Sequence, residues 1–509
     1  MKNKIFWLGI LNILLCWSCV NDLGNYDYKN VTSVAPIEVL GLPDDTTFKV
    51  LETIMLTPEL KGMDDEKNFE FTWYTYPPGA TGIPIRDTLG RERNLTFKMM
   101  YAAGENRVMV YEVKDKRTGI AVNKRISFSG VSDYGQGWVI LKDENNQTDI
   151  DFVFPDGTQD ENILYKNTQI KLKGRALKVV NQTYGYKHQF EKEDGFLEIR
   201  ENLRAWHLLS SSDMVTLNPD NLTVYKTFED EFYRAPETCA PQDFYNNGGD
   251  LYLLNAGAVH TLSNSSANIG KLGLPRFGDA RVFPKLVVAG QYLFGFSNET
   301  KSFVVSMIYD SDLSHMAEAN TDNPVQISPN HMNAEMLALL QRTDDWSGVK
   351  AWALMKSITE NEEYYLADLF FMEKEYPFVD FDVIRPDRAL VHADVYAAND
   401  LYSIWFAKGN VLSYYNKGIS DEESEEVTDI YPFPAGETIT WMQQSEGKYL
   451  LVLTNTTDKW KFYRFELDSD GLSPNIKPGT QPLVYSGNGT ARYALKIGDW
   501  DEDEDEDEE

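Results

Sequence analysis

Cysteine is too scarce for a disulfide framework, with three in 509 residues. Cys16 and Cys19 fall near the amino terminus, and Cys239 stands alone downstream. Histidine is also sparse. The six are His188, His207, His260, His315, His331 and His392; no two lie three to five residues apart and no His-Glu-x-x-His occurs, so a histidine zinc centre is not expected. The chain lacks a Gly-x-Ser-x-Gly elbow, a Gly-rich loop followed by Lys-Ser/Thr, and a dinucleotide fingerprint. No cofactor, no metal and no catalytic residue is therefore expected. Positive charge is short as well: 48 Lys and Arg stand against 79 Asp and Glu, a net charge of −31. That balance excludes a nucleic-acid partner, whose phosphates need basic patches, and loose adhesion to anionic lipid.

Long apolar runs are missing too. Lys2 and Lys4 precede an apolar stretch from Ile5 to Leu15 that only Gly9 and Asn12 interrupt, and Ser18 comes just before Cys19. Crossing a bilayer takes about 20 apolar residues, so this stretch reads as a cleaved signal. The expectation is a lipoprotein signal over residues 1–18, lipidation at Cys19, and a polar tether over residues 19–36. The alternative is an ordinary secretory signal with an incidental cysteine.

What is present is β-sheet text. Over residues 37–130, short alternating runs such as Phe69–Tyr74 and Val108–Val113 are separated by Gly, Pro and Asn, and Lys114 to Gly119 reads as a hairpin turn. The length and pattern predict a small Ig-like sandwich. Over residues 135–497, strong apolar runs recur, beginning at Gly137, Ala205, Asp250, Gln291, Lys350, Leu401 and Lys448. Seven such units match the scale of a β-propeller. The fold class is thus all-β: a sandwich followed by a propeller of seven blades. Leu483–Tyr485 and Ala491–Leu495 sit where a closing hairpin is wanted. One helix is expected over Asn333 to Arg342, where strong helix formers cluster. Residues 498–509, with ten acidic groups from Asp499 onward, predict a disordered tail.

Several of these residues carry a family likeness. Cys19 followed by Asp22-Leu23-Gly24-Asn25-Tyr26-Asp27-Tyr28, then Phe71-Thr72-Trp73, Asn94-Leu95-Thr96-Phe97 and Val110 to Asp115 with Thr118-Gly119, resembles the PKD-like family of lipoproteins. The runs at Gly137 to Leu141 and Ala351 to Lys356 resemble that family's later region. The resemblance implies a lipid-anchored accessory protein of the outer membrane, at the cell surface. It would work beside a TonB-linked transporter and its lipoprotein partner in glycan or peptide uptake. It supplies no catalytic residues.

Other constellations remain open. Asp380, Asp382, Asp387 and Asp394 cluster with Arg385 and Arg388, and paired carboxylates are what glycoside hydrolysis needs. The Asp-rich segments Asp143-Glu144-Asn145-Asn146 and Asp468-Ser469-Asp470-Gly471 read as solvated turns, with calcium as the alternative. Tyr74, Tyr76, Phe244-Tyr245-Asn246-Asn247 and Tyr414-Tyr415-Asn416 could stack on sugar rings, against the plainer reading that they pack between strands. Cys239, in a proline-bracketed loop, reads as a buried thiol. The sequence thus predicts a non-enzymatic binding or accessory lipoprotein with no assigned ligand residues. The alternatives are a hydrolase using two propeller carboxylates and a purely structural subunit of a transporter complex.

Overall fold

The computed structural model describes residues 37–79, 86–191, 195–265, 269–278, 281–319, 325–345, 348–359, 362–399, 402–418, 424–468 and 474–498. Cys19, the signal, the tether and the acidic tail from Asp499 lie outside them. Two compact units divide at Val131 and Ser132. Among the described residues, no helix is long and apolar enough to cross a membrane.

The first unit is a β-sandwich. Alternation along Phe69–Tyr76 turns Phe69, Phe71 and Trp73 inward, as a strand with one buried face requires. This strand pairs antiparallel with Asn106–Asp115, which pairs in turn with Ala121–Val131. Asp45–Lys49 joins that edge in parallel, and Asp87–Gly90 joins the other. Two short pairs, Glu38–Leu40 with Glu59–Lys61 and Thr53–Leu56 with Leu95–Lys98, supply the second layer. Trp73 lies at the centre of the shared core, stacked on Tyr111 at 4.2 Å, with its indole N–H donating to the Glu92 carbonyl at 3.1 Å. Asp115 closes the hairpin as expected. Its buried carboxylate accepts from the Arg117 amide at 2.7 Å and pairs with the Arg117 guanidinium at 3.0 Å, while Gly119 takes the left-handed conformation that the turn needs.

The second unit is a seven-bladed propeller. Blade 1 is built on Gly137–Glu144 and Gln147–Val153, with Gln159–Asp160 and Leu172–Lys173 at its outer edge. Blades 2 to 7 follow as antiparallel sheets over residues 176–227, 241–262, 287–315, 334–384, 395–427 and 438–488. Among the described residues blade 1 has five strands, counting one from the end of the fold, blade 3 has three, and the others have four. The seven strong runs of the sequence all fall on the second strand from the axis, where both faces are covered by neighbouring blades. Trp206, Trp352 and Trp405, which lie on such strands, are completely buried. Separate apolar clusters fill the gaps between successive blades from 2 round to 1. Phe152 stacked on Trp206 at 6.3 Å joins blade 1 to blade 2.

Two local expectations fail. Asn333 to Arg342 is not helical: Ala334–Asp345 is the innermost strand of blade 5, paired through two bulges with Gly348–Ser357. Alanine, leucine and methionine favour a helix intrinsically, but a vacant sheet edge in a packed ring overrides a propensity difference of about 0.7 kcal/mol or less per residue. Nor do Leu483–Asn488 and Thr490–Ile497 form a hairpin with each other. The first is the outer strand of blade 7, whereas the second crosses to blade 1 and becomes its innermost strand against Gly137–Glu144. The ring therefore closes by joining the end of the fold to its beginning, which leaves no open edge there.

Side chains secure this closure. Asn455 of blade 7 accepts from the Ala491 amide at 2.7 Å and donates to the Ala491 carbonyl at 2.8 Å. Asp151 of blade 1, fully buried, pairs with Lys142 at 2.7 Å and accepts from the Trp460 indole of blade 7 at 3.3 Å. A Cβ on Gly487 would come within 2.5 Å of the Trp460 ring, so this position requires glycine. Replacing Asp151 with Ala strands a buried ammonium and should cost about 3–5 kcal/mol. The double change Lys142→Met with Asp151→Leu should recover most of that loss, as measured by urea unfolding followed by tryptophan fluorescence.

Candidate functional site

The innermost strands leave an axial channel of about 930 Å3, within the usual range for small-molecule sites. Every blade contributes to its wall. Consecutive residues of these strands line the channel, and their side chains pack toward one or the other neighbouring blade. On Pro241–Asn247, for example, Phe244 enters the cluster between blades 2 and 3, Tyr245 packs against the one between blades 3 and 4, and Asp243 also lines the channel.

Asp243 is the electrostatic centre. Its buried carboxylate accepts from Lys178 Nζ of blade 2 at 2.6 Å and from the Leu286 amide at 2.9 Å, where the chain enters blade 4. A second ammonium, Lys285, stands 3.9 Å away. Burial alone would push the Asp243 carboxyl upward, but the two lysines and the Leu286 N–H outweigh it and hold the group below the ordinary carboxylate range. Aromatic and amide groups complete the wall. Lys178 lies over the Tyr245 ring at 5.4 Å, Gln341 donates to the Tyr245 hydroxyl at 2.9 Å, and Trp441 packs on Tyr493 with ring centroids 5.3 Å apart. Burial raises the Tyr493 hydroxyl pKa, so the phenol is a neutral donor. Trp405 donates to Gln444 at 3.1 Å and fixes a further amide in the lining.

Most residues singled out in the sequence lie away from this channel. Asp380 and Asp382 occupy the outermost strand of blade 5 and share Lys417 at 2.6 and 3.0 Å. Asp387 pairs with Arg385 at 3.3 Å; Asp394 belongs to the loop that enters blade 6. Asp143 pairs with Arg492 at 2.5 Å, beside a two-residue hairpin turn in which Asn145 and Asn146 are left-handed. The turn at Asp468 runs into residues outside the described set. Tyr414 and Tyr415 are buried between blades, and Tyr74 packs against Tyr76 beneath Arg86. Tyr245 and Asn246 do reach the channel. Burial pushes the Cys239 thiol up to about 12, so it is not a nucleophilic thiolate. His207 is enclosed between Gln182 and Thr216, and burial lowers its pKa to about 3. Among the described residues, no group of three or more His, Cys, Asp or Glu is arranged to hold a metal. Lys178, Asp243, Lys285, Trp441 and Tyr493 were invisible in the sequence. The usable signal was positional, since an inner strand precedes each strong apolar run except the first, whose inner strand comes from the end of the fold.

The model of the PKD-like family matches residues 19–179, which includes the sandwich and continues through blade 1. No protein of curated function matches the sequence. Among solved structures, a quinonprotein alcohol dehydrogenase-like protein from Bacteroides thetaiotaomicron is similar with a TM-score of 0.44 at 12% identity, over 91% of this chain and 99% of that one. The WD40 domain of SCAP from fission yeast gives 0.32 at 9% identity, over 62% and 74%. YCF48 from Cyanidioschyzon merolae gives 0.26 at 9%, over 71% and 98%.

Because the Asp243 carboxyl is held below its unfolded value of 3.8, it adds stability that is fully present above that pH and is lost as the pH falls through the folded value. Asp243→Asn should therefore be less stable than the parent at pH 7, with the difference shrinking below about pH 4. Urea midpoints measured from pH 7 down to pH 3 test this; a difference that stays constant would contradict it.

Proposed function

We propose that this chain is a lipid-anchored binding component of an outer-membrane nutrient-uptake system. In this reading Cys19 carries the lipid, the body is held at the cell surface, and the propeller channel receives a glycan or peptide. A TonB-linked transporter and its lipoprotein partner are the proposed neighbours. The PKD-like match over residues 19–179 and the signal-like residues before Cys19 support the location.

The observation that carries binding over hydrolysis is the carboxylate content of the channel. Glycoside hydrolysis uses two carboxyl groups, about 5–10 Å apart, one of them kept protonated. Asp243 is the one carboxylate among the described lining residues, and two lysines keep it ionised. Aromatic faces beside amides suit a ring-and-hydroxyl ligand without bond cleavage.

Two measurements test the proposal. Full-length Cys19→Ala expressed in its native host should lose acylation and leave the membrane fraction; continued membrane pelleting would contradict the anchor. The chain from residue 19 onward should be retarded in affinity gels by at least one glycan or peptide of a broad panel while releasing no product. Trp441→Ala should reduce that retardation by tenfold or more in apparent affinity, in line with the worth of one aromatic contact.

A further inference from the structure

The channel reverses the charge of the protein that surrounds it. Over the chain, acidic residues outnumber basic ones by 79 to 48. Among the described lining residues the balance is four cations, Lys178, Lys285, Arg342 and Lys496, to the single carboxylate of Asp243. Three of these cations are already matched. Lys178 is bound to Asp243 at 2.6 Å, Arg342 to Asp368 at 3.0 Å, and Lys496 to Glu446 at 3.0 Å.

Lys285 differs. Its ammonium stands 3.9 Å from an Asp243 oxygen that already accepts from the Leu286 amide, beyond hydrogen-bond reach. Its side chain is 40% exposed, so a ligand can reach it. Asp243 must thus serve two ammonium groups with one charge, leaving an excess of about one positive charge at this point of the wall. Tyr493, whose ring packs on Trp441, lines the same channel as Lys285. An aromatic pair and an under-neutralised ammonium therefore share one channel.

We propose that the channel selects an acidic saccharide, with a sugar ring against Trp441 and Tyr493 and its carboxylate on Lys285. This rests on the channel being the ligand seat, as argued above. The neutral, polar wall supplies hydroxyl contacts common to sugars, and Lys285 supplies the discrimination against uncharged ones.

The test uses the chain from residue 19 onward, titrated calorimetrically with oligogalacturonate, with oligomannuronate and with the methyl ester of each. The esters keep the ring and remove the charge. An acidic oligomer should bind at least tenfold more tightly than its ester, and the preference should weaken between 50 and 500 mM salt. Lys285→Gln should bring the affinity for the acidic oligomer down to that for its ester, and Lys285→Arg should keep most of the preference. Lys285 is partly exposed and outside the closure contacts, so both variants should fold; Lys285→Arg should keep the parent's thermal midpoint, and Lys285→Gln should lose no more than its 3.9 Å attraction to Asp243 contributes. Equal affinity for acid and ester, with both lost in Trp441→Ala, overturns the acidic selection and leaves the channel reading standing. Binding of either form that survives Trp441→Ala overturns the channel as the seat. Tight binding of triglutamate with no binding of any sugar acid overturns the saccharide assignment, and an absence of binding by all these probes overturns the inference.

Discussion

The propeller depends on one strand pairing. Thr490–Ile497 is separated from Gly137–Glu144 by nearly the whole unit, yet the two lie side by side as inner strands of blade 1. Without that pairing, blade 1 would present an unpaired inner edge to the axis and blade 7 would have no neighbour on one face. The chain secures the junction with buried polar groups as well as apolar contact. Asn455 reproduces a strand's hydrogen bonds to Ala491, and Asp151 is shared between Lys142 and Trp460. Such groups tolerate little error, because a buried donor or acceptor left unmatched costs about 1–3 kcal/mol. Their geometry admits one register, which an apolar seam alone would specify less sharply.

The same logic explains what could be read from the sequence. A second strand is covered on both faces, so it appears as an uninterrupted apolar run, and all seven runs correspond to real blades. An inner strand lines a wet lumen, and two of the seven, Val287–Ala289 and Val395–Ala398, are short. Its residues mix lysine, glutamine, tyrosine and leucine without a period strong enough to stand out. Ala334–Asp345 shows the extreme case, because its composition points to a helix and only the ring around it dictates a strand. Trp73 and Asp115 were legible for the opposite reason: each does a local job, one filling the sandwich core and one closing a five-residue turn.

The candidate site was hidden for a further reason. Lys178, Asp243 and Lys285 are separated by 65 and 42 positions, and only the circular arrangement brings blades 2, 3 and 4 together at one point of the channel wall. The acidic clusters that attracted attention are local in sequence and settle on outer strands and turns, where charge is easily solvated. Proximity along the chain therefore favoured carboxylates that lie away from the channel.

Asp243 connects the architecture to the chemistry. Its carboxylate binds a lysine from blade 2 and a backbone amide at the entry to blade 4, so it braces three blades at the axis while setting the local charge of the channel. A net charge of −31 would seem to repel an anionic ligand, but at physiological salt an exposed charge acts over only about 8 Å. Inside the channel, the surface carboxylates are screened and an entering anion would meet the wall alone. There, one carboxylate facing two ammonium groups is a stable arrangement without a ligand and a better one with an added anion. The fold can thus keep an acidic exterior and a locally cationic lumen, because water and salt separate the two fields.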